Sequence, residues 1–219
     1  MKKTRKRVAI LISGRGSNMT ALIEAARARD YPAEIVLVLS NRPDAQGLAV
    51  ARAKGVATAV VDHTGFPIRE AFEAALEAKL AAAKVEIVCL AGFMRVFTRA
   101  LVDRWRGRML NIHPSLLPAF KGLDTHARAL AAGVKTHGCS VHFVAHELDS
   151  GPIVMQATVP VLEGDDEGKL AARVLEEEHR IYPAALRLLA EDRLKIEGDR
   201  VIVAGGGERM DLSPASPKP

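Results

Sequence analysis

The stretch "RVAILIS" (7–13) is apolar without alternation, breaks into "SGRGSN", and reopens as "MTALIEAARAR" with apolar residues at helical spacing. A strand of continuous apolar residues needs cover on both faces, which helices packed on a parallel sheet provide. The rhythm then repeats. Strand "EIVLVLS" precedes helix "DAQGLAVARAKG"; strand "ATAVV" precedes helix "PIREAFEAALEAKLAAA"; strand "EIVCLAG" precedes helix "TRALVDRW" and strand "RMLNI". Such a series specifies βαβ units and a parallel sheet. Ser17 or Asn18 is the expected cap of the first helix.

After residue 120 the rhythm changes. A short helix around "THARALAAG" leads to "HGCSVHFV" and "GPIVMQATVPV", which read as an antiparallel pair extending the sheet. A long helix from about Glu167 to Asp192 packs back, and "LKIEGDRVIV" reads as a hairpin about Gly198-Asp199. The fold class is therefore a single α/β domain: a mostly parallel twisted sheet with helices on both faces and an antiparallel C-terminal extension. Residues 1–6 form a basic extension, 7–203 the domain, and 204–219 a Gly/Pro/Ser-rich tail expected to be disordered.

Composition narrows the function classes. At 219 residues one core is the expectation, and with aromatics at 4% that core rests on Ala, Val, Leu and Ile. The net charge of +5 owes much to "MKKTRKR", with five basic residues in seven, which reads as a solvated terminus. Basic residues elsewhere alternate with acids along the helices, which argues against a nucleic-acid partner. The apolar run after that start is too short for a secretory signal, and no window reaches the roughly 20 residues of a membrane span. Cys89 and Cys139 lie inside strands without a C-x-x-C pattern, as buried thiols do in a reducing compartment. A cytoplasmic protein is expected, without a membrane partner.

Two segments carry the chemistry. Gly14 and Gly16 permit a tight turn ahead of the first helix, whose free N–H groups at Gly16, Ser17 and Asn18 suit an anion. Met19 stands where a dinucleotide loop has its third glycine, and the second strand ends without an acid, so a monophosphate on a small substrate fits better. A plain glycine turn remains the alternative. The second segment is "LNIHPSLLP". Period-two alternation puts Asn111 and His113 on one face, and Pro114 and Pro118 keep the following chain irregular. An amide beside an imidazole suits a carbonyl that gains negative charge, and an aspartate in "HELDSGP", if Asp149 reaches His113, favours the imidazolium. Acyl transfer without a covalent intermediate is the reaction class indicated. His113, His126, His137, His142 and His146 show no metal-binding spacing, so no metal is expected. A merely hydrogen-bonded strand-end histidine stays open as the alternative.

In this order and spacing, "LISGRGSN", "LAGFMRVF", "LNIHPSLLPAFKG", "HGCSVHFV" and "ELDSGP" resemble the phosphoribosylglycinamide formyltransferases, over about residues 7–203. The resemblance implies a Rossmann-like fold and formyl transfer from 10-formyltetrahydrofolate to the amine of glycinamide ribonucleotide. It implies that Asn111 holds the formyl oxygen, that His113 is the general acid/base and that Asp149 supports it. Gly16, Ser17 and Asn18 would bind the phosphate, and Glu178 in "EEEHRIYP" the ribose. Folate would lie against Arg69, Met94, Arg95, Val96, Phe97 and Asn111, with the backbone of His146, Glu147, Leu148 and Gly151 around the pterin. Its partners would be these two small molecules, and the chain a monomer or homodimer. The segment 115–136 is a candidate lid. Rival readings are a formyltetrahydrofolate hydrolase, a methionyl-tRNA formyltransferase and a non-catalytic nucleotide-binding regulator.

Overall fold

A computed structural model describes residues 4–204. The expected disordered tail, beyond Ala204, lies outside the described residues. Strands β1 (Lys6–Ile12), β2 (Ala33–Ser40), β3 (Thr58–Val60), β4 (Ile87–Leu90), β5 (Met109–His113), β6 (Thr136–Phe143) and β7 (Ile153–Pro160) form one sheet. Its order is β3-β2-β1-β4-β5-β6-β7. The first five strands pair in parallel; β6 pairs antiparallel with β5, and β7 with β6. The helices are α1 (Ser17–Ala26), α2 (Gln46–Ala53), α3 (Arg69–Ala82), α4 (Arg99–Arg104), α5 (Thr125–Ala131) and α6 (Glu167–Ala190). A separate hairpin, β8 (Leu194–Glu197) and β9 (Arg200–Val203), follows.

The sheet is covered on both sides, as its unbroken apolar strands require. Along β1, Val8, Ile10 and Ile12 pack into the core that holds Met19 and Leu22 of α1, Leu48 of α2 and Val174 of α6. The intervening Ala9 and Leu11 pack into a second core with Phe72, Leu76 and Leu80 of α3 and Leu101 of α4. Each of these large side chains is fully or almost fully buried, which stabilises the fold by roughly 1.5–3 kcal/mol apiece. The two cores meet the same sheet from opposite faces, so their residues alternate along one strand. α6 is also fixed by polar contacts: the buried Tyr182 hydroxyl lies 3.1 Å from the Leu90 carbonyl and 3.2 Å from the Leu110 carbonyl.

The topology reverses between β1 and β4. From β1 the chain runs outward through β2 and β3, then returns through α3 to the other side of β1. In an open α/β sheet this reversal leaves a crevice beyond the carboxyl ends of the two strands. The loop after β1 and the segment after β4 meet there: Ser13 N–H donates to the Gly92 carbonyl (3.1 Å), and the Ser13 hydroxyl accepts from Met94 N–H (2.8 Å). Among the described residues, no helix is long and apolar enough to cross a membrane.

Candidate active site

The crevice deepens into a cavity of about 750 Å³, one end bounded by the glycine loop and α6, the other by β5, β6 and the β6–β7 connection. Asn111 and His113 both line it, on one face of β5 as the alternation requires. The β5–β6 register sets Asn111 directly opposite His142. Asn111 Nδ2 lies 3.0 Å from His142 Nε2, and His142 Nδ1 lies 2.9 Å from the Phe143 carbonyl. A carbonyl only accepts, so Nδ1 carries the proton and Nε2 accepts from the Asn111 amide. Burial lowers the pKa of His142, which keeps the ring neutral and able to accept. The asparagine amide is thereby oriented, with its second N–H left for another acceptor.

Asp149 occupies a left-handed backbone conformation (φ 49°), one that aspartate tolerates better than most side chains. Its Oδ2 accepts from Gly122 N–H at 2.9 Å and lies 3.4 Å from His113 Nδ1, while its Oδ1 is 3.8 Å from His142 Nε2. His113 Nε2 donates to the Phe120 carbonyl at 3.0 Å. One ring nitrogen of His113 thus donates to a carbonyl while a carboxylate faces the other. Gly151, in the same connection, does not line the cavity. A Cβ there would fall 1.8 Å from the Phe143 carbonyl, so the glycine lets the connection close against β6.

At the other end, α1 begins without a side-chain cap. The residue at its N-cap is Gly16, with φ 76°, and neither Ser17 nor Asn18 caps the helix. Asn18 is instead turned inward: its Nδ2 donates to Glu178 Oε2 on α6 at 2.7 Å, and its Oδ1 is buried with no hydrogen-bond partner. Burial pushes the Glu178 carboxyl up to about 7, against the opposing effect of the Asn18 bond. The loop is supported from α2, where Gly47 N–H donates to the Gly14 carbonyl at 3.0 Å. The free amides at the start of α1, an orphan acceptor and a buried carboxylate thus share one wall.

A protein-family model for formyl transferases matches residues 6–186. The phosphoribosylglycinamide formyltransferase of Escherichia coli is 46% identical, with 86% of this chain and 89% of that protein covered. The human trifunctional purine biosynthetic protein adenosine-3 is also 46% identical; the match takes in 89% of this chain but only 19% of that protein. For the corresponding Drosophila melanogaster protein the chain spans 14% of its length. A crystal structure of glycinamide ribonucleotide transformylase 1 from Symbiobacterium toebii superposes with TM-score 0.89 at 50% identity, covering 91% of this chain and 94% of that one. A formyltetrahydrofolate deformylase from Pseudomonas syringae superposes with TM-score 0.84 at 25% identity, covering 91% of this chain and 66% of that one. The chain belongs to the formyl transferase family.

Most site residues expected of this formyl transferase gather around its cavity. Asn111, His113, Asp149, Ser17, Asn18 and Glu178 line it, and so do Met94, Arg95, Val96, Phe97, His146, Glu147 and Leu148. Gly16 shapes the loop without lining the cavity. Arg69 stands apart, as the exposed first residue of α3. His142 was legible only as one of several histidines; its bond to Asn111 depends on strand register, for which no local signal exists. His126 borders the cavity and His137 packs edge-on against it, their ring centroids 5.2 Å apart. The candidate lid proves anchored in its first turn, where the buried Ser115 donates to the Ala119 carbonyl and accepts, through its own carbonyl, from Ser140 Oγ. Among the described residues, no group of three or more His, Cys, Asp or Glu side chains is placed to hold a metal ion.

Proposed function

We propose that the protein transfers the formyl group of 10-formyltetrahydrofolate to the amine of glycinamide ribonucleotide, giving formylglycinamide ribonucleotide and tetrahydrofolate in purine synthesis. One observation carries this reading: a single cavity joins a helix-N-terminal glycine loop to Asn111, His113 and Asp149. The acceptor lies with its phosphate on the amides of Gly16, Ser17 and Asn18 and its ribose hydroxyls toward Glu178 and the orphan Asn18 Oδ1. The donor takes the other wall. Met94, Val96 and Leu148 are apolar and exposed there, a surface suited to a flat heterocycle, with the 146–151 backbone beside it.

The amine attacks the formyl carbon, a new C–N bond forms, and the carbonyl oxygen becomes an oxyanion. Asn111, held by His142, donates its free N–H to that oxygen. His113 exchanges its contact with the Phe120 carbonyl for the reacting group, and Asp149 stabilises the imidazolium. As the tetrahedral centre collapses, the bond to the folate nitrogen breaks. The proton shed by the attacking amine reaches that nitrogen by way of His113. No enzyme nucleophile takes part.

The test is release of tetrahydrofolate, followed spectrophotometrically with and without glycinamide ribonucleotide, for the wild type and His113→Ala. Release that requires the ribonucleotide and collapses in the variant is expected. Release without acceptor would identify a hydrolase, the activity named for the Pseudomonas syringae neighbour.

A further inference from the structure

The loop that we read as the phosphate cradle contains a side chain that this reading does not yet use. Arg15 sits between Gly14 and Gly16, is exposed, and lines the cavity beside Ser17 and Asn18. Among the described residues it has no hydrogen-bond or ion-pair partner, whereas Arg7, Arg42, Arg104 and Arg173 are each paired with a carboxylate. A guanidinium left free in a cavity wall is a charge waiting for an anion.

The rest of that wall makes the need explicit. α6 lines the cavity with Glu167, Ala171, Leu175 and Glu178, two acids and two apolar side chains, of which Glu178 meets Asn18 of the loop. Arg95, the other arginine along the cavity, belongs to the segment after β4, on the donor side. A phosphate dianion brought to the α1 N-terminus meets helix amides worth about half an elementary charge. It also meets acids across the cavity. The buried Asn18, its Oδ1 unpartnered, marks the same wall as built for a polar ligand. Backbone geometry holds the loop that carries the arginine in place. A Cβ on Gly47 would come within 3.2 Å of the Arg15 carbonyl and 3.1 Å of the Gly14 carbonyl, so α2 packs tightly under the loop.

We infer that Arg15 is the phosphate clamp of this enzyme, its guanidinium closing on the ribonucleotide phosphate bidentately and supplying the positive charge that the loop amides lack. The inference rests on the proposed function and adds a residue that sets affinity for a phosphorylated acceptor. Arginine suits the task because its planar fork matches two phosphate oxygens, while lysine offers a point charge. The contact is made alike in ground and transition states, so its loss should appear in KM rather than in kcat.

The experiment measures KM and kcat for both substrates in the wild type, Arg15→Gln and Arg15→Lys, with the dephosphorylated glycinamide riboside as a second acceptor. For Arg15→Gln, KM for the ribonucleotide should rise tenfold or more, kcat and the folate KM should change less than twofold, and Arg15→Lys should fall between. The riboside should not distinguish wild type from variant. A ribonucleotide KM within twofold of wild type, or an equal rise for the riboside, would overturn the inference. Inorganic phosphate binding by calorimetry separates this from failure of the functional reading. Were the wild type to transfer no formyl group, phosphate binding that weakens in Arg15→Gln would still support the clamp. Equal binding would remove it.

Discussion

The two walls of the cavity are finished to different degrees. At the β5–β6 wall the reactive side chains are already engaged with one another: Asn111 with His142, His142 with the Phe143 carbonyl, His113 with Asp149 and the Phe120 carbonyl. At the α1–α6 wall, Asn18 keeps an orphan acceptor, Glu178 a carboxyl that burial makes hard to ionise, and Arg15 an unpaired charge. Pre-arranged dipoles stabilise a developing charge without reorganising during the reaction. Unsatisfied groups instead reward the arrival of a partner, because leaving them unpaired is costly. On the proposed function the difference is a division of labour: one wall set for the transition state, the other completed by the substrate.

The division breaks if changes on the first wall act on binding, or changes on the second act on turnover. The largest expected effect is that of Asp149→Asn, which keeps an acceptor for Gly122 N–H but removes the charge facing His113. Turnover should fall by about 10³-fold, with KM for both substrates little changed. Asn111→Ala removes the proposed oxyanion donor and should lower kcat by roughly 10²–10³-fold. His142→Ala leaves Asn111 in place but unheld, and a loss of kcat on the order of tenfold is expected, since orientation rather than charge is removed. A His142→Ala enzyme with normal kcat would show that Asn111 needs no anchor.

Gly47→Ala probes the other wall. The added Cβ would meet Ile12 Cδ1 at 2.6 Å and press on the loop, so KM for the ribonucleotide should rise roughly tenfold with the folate KM unaffected. The smallest effect concerns stability. The Glu178 carboxyl, ordinarily near 4.5, titrates at about 7 in the folded chain, so the folded state holds a proton that the unfolded state has released. Stability from this group is therefore complete below about 4.5 and lost as pH rises through 7. Glu178→Gln keeps the acceptor for Asn18 and has nothing to ionise. It should melt higher than the wild type at pH 8, by a margin on the order of 3 kcal/mol or less, and the two should converge at pH 4. A difference independent of pH would mean that Glu178 is ionised at little cost.

Why were some of these features legible in the sequence and others not? The strands announce themselves because β4 and the inner stretches of β1 and β2 are buried on both faces and so run apolar without alternation. Asn111 and His113 follow from alternation, and Asp149 from the motifs that accompany them. The start of α1 misleads, because Ser17 and Asn18 look like caps to any local rule. Asn18 is drawn away by a carboxylate 160 residues later in the chain, which only the packing of α6 on α1 brings near. His142 is hidden for a similar reason, since its partner is set by pairing between strands. Arg69, which the resemblance suggested for the folate, is the exposed first residue of α3 and is not among the residues that line the cavity. Arg15 lies inside the "SGRGSN" loop, but the glycines and the helix amides draw the eye there, and its side chain becomes visible only when it proves to line the cavity.

One contact seen first as simple packing has a wider reach. Tyr182 ties α6 to the carbonyls of Leu90 and Leu110, and Glu178 lies one helical turn before it, while Asn111 directly follows Leu110. Glu178, proposed to meet the ribose, and Asn111, proposed to meet the formyl oxygen, are thus mounted on a common strut, and on that reading the protein gauges molecular length. An acceptor whose amine is carried one methylene farther from its sugar would anchor normally and overshoot the carbon it must attack. Selection by span needs no contact with the amine itself.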